Sequence, residues 1–151
     1  MIAVVRVRGT VNIKPDIRKT LENLMLFKPN TMAVVSDSQK KMVEKAKDYV
    51  TFGFIDEKAL AMVLEKRGYT EEGKKVDLEY LKSKNISSFA ELSNKVINGS
   101  VRLREVGIVP CFRLHPPKKG WERKGIKMPF NLGGALGNRG EYMNELVFRM
   151  I

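Results

Sequence analysis

Histidine and cysteine each occur once in this chain of 151 residues, as His115 and Cys111. A lone cysteine forbids an internal disulfide and fits a reducing interior. One cysteine and one histidine cannot furnish a zinc site of Cys and His ligands, so no metal is expected. Long apolar runs are missing too: none approaches the roughly 18–20 residues that span a bilayer. The opening Met1-Ile2-Ala3-Val4-Val5 is broken at once by Arg6, so no secretory signal is expected. No internal repeat or low-complexity tract is present. Acids are scarce: 17 Asp and Glu against 28 Lys and Arg give a net charge of +11 and a pI of 9.8. That imbalance points to an anionic partner, with RNA or DNA ahead of a membrane surface.

What is present supports a folded body. A hydrophobic fraction of 43% argues against disorder, and the length suits one core better than two full domains. The positive excess is uneven. Up to Pro29, six bases (Arg6, Arg8, Lys14, Arg18, Lys19 and Lys28) face two acids. Residues 30–99 are nearly neutral, with twelve bases and eleven acids, whereas residues 100–128 hold eight bases and two acids. Two cationic blocks thus flank a neutral middle, and they make one footprint if the fold joins them.

The second block contains the most telling stretch, Arg113 to Lys127. Arg113, Lys118, Lys119, Arg123, Lys124 and Lys127 stand there against a single acid, Glu122. Pro116-Pro117, Gly120 and Gly125 deny it a regular helix or a central strand. It reads as a semi-rigid, extended arm with one large aromatic, Trp121, suited to phosphates and to stacking on bases. A merely solvated basic loop is the plainer alternative. Such an arm is expected to be disordered alone and to gain order on nucleic acid.

Elsewhere, Ile2 to Val7 reads as a strand whose period of two puts Arg6 and Arg8 on one side. Pro15 and Asp16 open a helix with Ile17, Leu21, Leu24 and Met25 inward. Thr31 to Val35 and Tyr49 to Ile55 are two further strands, the latter with Gly53 as a bulge. Between them lies a helix with Met42, Val43 and Ala46 inward. Asp56 caps the next helix and Gly68 is its C′ residue. Thr70 to Lys75 is a polar hinge, dividing an αβ core (1–69) from a C-terminal extension (70–151). In the extension, Asp77 caps a short helix and Ser88 with Glu91 has capping-box spacing. Val101 to Val109 is ambiguous. The glycine-rich run Leu132 to Glu141 reads as a turn feeding a helix capped by Asn138 and Glu141.

That glycine run lacks the Gly-Lys-Ser/Thr ending of a P-loop and the spacing of a dinucleotide site. At most its free amides, with Asn138 and Arg139, could grip a backbone phosphate. Catalysis finds little support, because His115 lies in the basic arm where stacking or plain exposure fits better than a triad. The carboxylates alternate with lysines along helices, as on a solvated face. Neither an enzyme nor a cofactor is expected.

The segments VVRVRGTVNIKPDIRKTLENLML, EKRGY, HPPKKGWERKGIK and GGALGNRGEYMNELVFRM, in that order and spacing, resemble the large-subunit ribosomal proteins called L-thirty in archaea and L-seven in eukaryotes. The likeness covers nearly the whole chain. It implies an α+β fold: a small, mainly antiparallel three-stranded sheet with helices packed on one face, somewhat ferredoxin-like, plus a helical and extended C-terminal extension laid on RNA. It also implies a structural constituent of the cytoplasmic ribosome, bound to large-subunit ribosomal RNA and to other large-subunit proteins, with no membrane or small-molecule substrate. The RNA-facing residues carried over are Arg6, Arg8, Lys14, Arg18 and Lys19, then Arg113, Lys118, Lys119, Trp121, Arg123 and Lys127, then Asn138 and Arg139. His115 and Lys124 join them from the arm itself. A basic DNA- or RNA-binding module outside the ribosome is the alternative.

Overall fold

A computed structural model describes residues 1–151. The chain runs β1 (Ile2–Arg6), α1 (Pro15–Asn23), β2 (Thr31–Val35), α2 (Lys40–Lys45), β3 (Val50–Phe54), α3 (Glu57–Arg67), α4 (Leu78–Ser83), α5 (Phe89–Ile97), β4 (Cys111–Arg113), β5 (Gly137–Gly140) and α6 (Met143–Met150). The fold is α+β, around one sheet of order β4-β2-β1-β3-β5. β1 lies at the centre, antiparallel to β2 and β3. β4 adds antiparallel to β2, and β5 adds parallel to β3. No helix is long and apolar enough to cross a membrane.

Two details of the expected architecture are corrected. The sheet has five strands rather than three, because residues 111–113 and 137–140 supply the two edges. The helices cover both faces rather than one, and β1 explains why: all five of its residues are buried. A strand apolar on both sides must be covered on both sides. Ala3 and Val5 meet Met32 and the inner faces of α3, α5 and α6, including Leu60, Leu92 and Leu146. Ile2 and Val4 meet Leu21, Leu24, Val43 and Ala46 on the α1–α2 side.

Local signals decide where several elements begin. Pro15 takes the first turn of α1 with Asp16 beside it. Ser88 caps α5 by accepting from the Glu91 N–H at 3.2 Å, while the Glu91 carboxylate accepts from the Ser87 N–H at 2.8 Å. Hydrogen bonding from Lys95, then from Ser87, holds the exposed Glu91 carboxyl below its ordinary pKa. Gly68 departs from expectation: its φ of −71° and ψ of 130° are extended, not left-handed. Glycine fits there because a Cβ would run into the Leu64 carbonyl and stand 3.4 Å from Val76 Cβ.

The Asn138–Glu141 capping box also does not form. Residues 137–140 are β5, and Asn138 Oδ1 accepts from the Gly140 N–H at 2.9 Å. The register of β3 against β5 shifts between Phe52 and Gly53, the irregularity expected at this glycine. A Cβ on Gly53 would collide with the Gly140 carbonyl and come within 2.8 Å of Met143 Cβ. Gly53→Ala is therefore expected to cost about 1–3 kcal/mol by overpacking. Denaturant unfolding measures the loss, and hydrogen exchange should show β5 amides losing protection first. Unchanged β5 protection would refute that account.

Candidate nucleic-acid interface

The antiparallel register sets the exit of β1, the start of β2 and the end of β4 at one end of the sheet. Thr31 pairs with Arg113, and beyond them the Leu114 N–H donates to the Asn30 carbonyl at 3.0 Å. On the other flank, Val7 packs with Ala135 and Leu136 against Trp121. The first cationic block and the arm therefore meet at this end, and the loop 8–14 leads from it to the start of α1.

The arm follows a defined course across this end of the fold. The His115 N–H donates to the Met150 carbonyl and the Lys118 N–H to the Arg149 carbonyl, both at 2.9 Å. Arg149 returns its Nε–H to the Lys118 carbonyl at 3.1 Å and a second donor to the Gly120 carbonyl. Farther on, the Lys124 N–H reaches the Gly133 carbonyl and the Ala135 N–H reaches Gly125, both at 3.1 Å. An extended chain without helix or sheet is thus tied to α6 at one end and to the glycine run at the other, which meets the backbone's need for partners.

Between those ties lies an ion pair of buried Arg139 with half-buried Glu122. Arg139 grips Glu122 with two donors, each at 2.6 Å, and its Nε–H donates to Thr51 Oγ1 at 2.7 Å. It also donates to the Ala135 carbonyl at 3.2 Å, and its guanidinium lies 4.6 Å from the Phe130 ring centre. The Arg139 side chain is only 3% exposed, and these bonds clamp the arm from within. Burial pushes the Glu122 carboxyl up. The hydrogen bonds from Arg139 and a backbone N–H, with the charges of Arg139 and Arg149, outweigh that and hold it below its usual range.

Arg6 is likewise turned inward. Although it shares a strand side with Arg8, it is 3% exposed. Its guanidinium donates to the carbonyls of Leu26 (2.6 Å), Arg8 (2.9 Å), Phe27 (3.0 Å) and Gly9 (3.0 Å). Burial lowers its pKa, yet an arginine remains charged. Trp121 is half-buried and packs against two core clusters, which anchors the arm.

The remaining candidate contacts face outward. Lys14, Arg18, Lys19, Arg113, His115, Lys118, Lys119, Arg123, Lys124 and Lys127 are all exposed, as is Asn138. Arg18 pairs with Glu22 at 3.1 Å on the surface, an interaction of small weight. Arg8 is half-buried, 5.0 Å from the Tyr49 ring centre, with one donor to the Asp48 carbonyl at 3.3 Å. Sequence reasoning missed Glu122, Arg149 and Thr51 as supports of the arm. The one usable signal was that Glu122 is the sole acid among six bases. Cys111 Sγ donates to the Met25 carbonyl at 3.2 Å; burial raises its pKa, with Arg113 pulling the other way, so the thiol is not primed as a nucleophile.

Residues 2–50 match the family described as Ribosomal protein L30p/L7e. A protein named Large ribosomal subunit protein uL30 from Nanoarchaeum equitans (strain Kin4-M) is 49% identical over 153 residues, covering 100% of this chain and 99% of that one. The protein of the same name from Korarchaeum cryptofilum (strain OPF8) is 44% identical over 155 residues, covering 100% and 95%. That from Methanococcus maripaludis (strain DSM 14266) is 40% identical over 151 residues, covering 99% and 98%. Identity at this level along the full length of both partners shows that the chain belongs to the uL30 (L30p/L7e) family.

Proposed function

We propose that this protein is a structural constituent of the large ribosomal subunit in the cytoplasm, holding ribosomal RNA and neighbouring ribosomal proteins in place without doing chemistry. The observation that carries this reading is the meeting of two cationic blocks at one end of the sheet, with their charged heads in solvent. Arg8, Lys14, Arg18 and Lys19 from the first block, and Arg113, His115, Lys118, Lys119, Arg123, Lys124 and Lys127 from the second, are the proposed RNA contacts, with Asn138 beside them. Arg6, Trp121 and Arg139 serve this surface from behind, by fixing the backbone that presents it.

Phosphate neutralisation supplies most of the affinity in such a design, so binding must weaken with salt. If about six phosphates are neutralised, log affinity falls against log salt with a slope of about −4 to −5.5. The protein should sediment with large subunits at moderate salt and leave them at high salt. A flat salt response removes the electrostatic basis. Equal affinity for duplex DNA and for large-subunit ribosomal RNA at matched salt would instead support a nucleic-acid-binding module outside the ribosome.

A further inference from the structure

With Trp121 half-buried against the core, one large aromatic left open on the cationic end is Phe27, 54% exposed at the foot of β2. It borders a cavity of about 370 Å³ shared with Lys28, Asn30, Thr31 and Arg113, and no acid lines it. The volume falls in the range of roughly 300–1,000 Å³ common to small-ligand sites. The Asn30 backbone is already engaged, its N–H with the Arg6 carbonyl at 2.8 Å and its C=O with the Leu114 N–H at 3.0 Å. Its φ of 60° holds the residue in a left-handed turn at the cavity's edge. Its side-chain amide has no partner inside the chain and is free to meet a ligand. Arg6 fixes the wall, since it binds the Leu26 and Phe27 carbonyls.

We infer that this cavity receives one unpaired nucleotide of RNA, its base stacked on Phe27 and its edge met by the Asn30 amide, with Lys28 and Arg113 on the flanking phosphates. The inference rests on the RNA-binding function proposed above and adds a base-contacting site to it. An aromatic face, an unengaged amide and two cations suit a splayed base better than a duplex, whose bases are already stacked. They also suit it better than an acidic peptide, which has no use for a ring face beside an amide. Arg6 is a positioning residue for this site.

The test uses the full-length protein and large-subunit ribosomal RNA. Hydroxyl-radical cleavage reads the backbone footprint, and base-specific chemical probing reads unpaired bases. The wild type should protect both a backbone footprint and at least one unpaired base. Phe27→Leu should lose that base protection and bind about 5- to 150-fold more weakly, while keeping the backbone footprint at compensating concentration. Phe27→Tyr, which keeps the ring, should behave as wild type, and thermal unfolding checks that both variants are folded. Base protection retained in Phe27→Leu, or lost equally in Phe27→Leu and Phe27→Tyr, overturns the inference while the RNA-binding function stands. Absence of any footprint from the wild type overturns both.

Discussion

Glu122→Ala is expected to lower stability by about 3–5 kcal/mol, the usual cost of leaving a buried charge without its partner. For a chain of this size that corresponds to a fall of about 6–20 °C in Tm. The loss arises less from the vanished attraction than from Arg139, buried to 3% exposure with two donors stranded. Replacing both residues with leucine should recover much of the loss, because an apolar pair of similar volume often substitutes without penalty. The pH dependence has a definite sign. Glu122 has a lowered pKa in the folded state, so its contribution is complete above the ordinary glutamate value of about 4.3 and disappears as pH falls through the lower folded value. Denaturant unfolding of wild type and Glu122→Gln from pH 7 down to pH 3 should show their stability gap narrowing below pH 4.3. A gap constant over that range would mean the pair does not stabilise the fold.

The difference between what could be read early and what could not lies in the range over which each signal acts. Pro15, Asp16, Ser88 and Glu91 act within one helical turn, and the elements they start are where they were expected. β1, β2 and β3 are β-branched and apolar, and they too were visible. β5 was not, because Gly-Asn-Arg-Gly has no strand propensity of its own. It pairs because Gly53 leaves room for the Gly140 carbonyl, where a Cβ would collide, and because Gly140 takes a left-handed φ of 56°. The second covered face was legible in principle: Ile2, Ala3, Val4 and Val5 do not alternate, and an unalternating strand signals burial on both sides.

Arginine is where local reading failed most instructively. Arg6 and Arg8 share a side of β1 by period, yet only Arg6 finds four carbonyls converging on it, from loops brought together by the chain's return through Leu26 and Phe27. Arg139 meets an acid 17 positions away and a threonine 88 positions away. Neither spacing leaves any mark in a sequence window. A net charge of +11 therefore overstates the surface available to RNA. The internal arginines hold the shape, and most of the lysines and remaining arginines are left facing solvent.

Replacing Lys118, Lys119, Arg123, Lys124 and Lys127 together with glutamine separates those two roles. All five are exposed. None of their side chains holds an internal partner, so stability should change by no more than about 0.5 kcal/mol per site. Binding to large-subunit ribosomal RNA should suffer heavily: if each meets one phosphate, the salt slope becomes shallower by about 3.5–4.5 and affinity near 0.1 M salt falls about 10³- to 10⁴-fold. Arg139→Gln should do the reverse, lowering Tm while leaving the salt slope of the molecules that remain folded nearly unchanged. Salt-titrated binding and thermal unfolding of both variants decide the matter. A quintuple variant that kept its slope would remove the arm from the RNA surface, and one that unfolded would show these lysines and Arg123 bound into the fold after all.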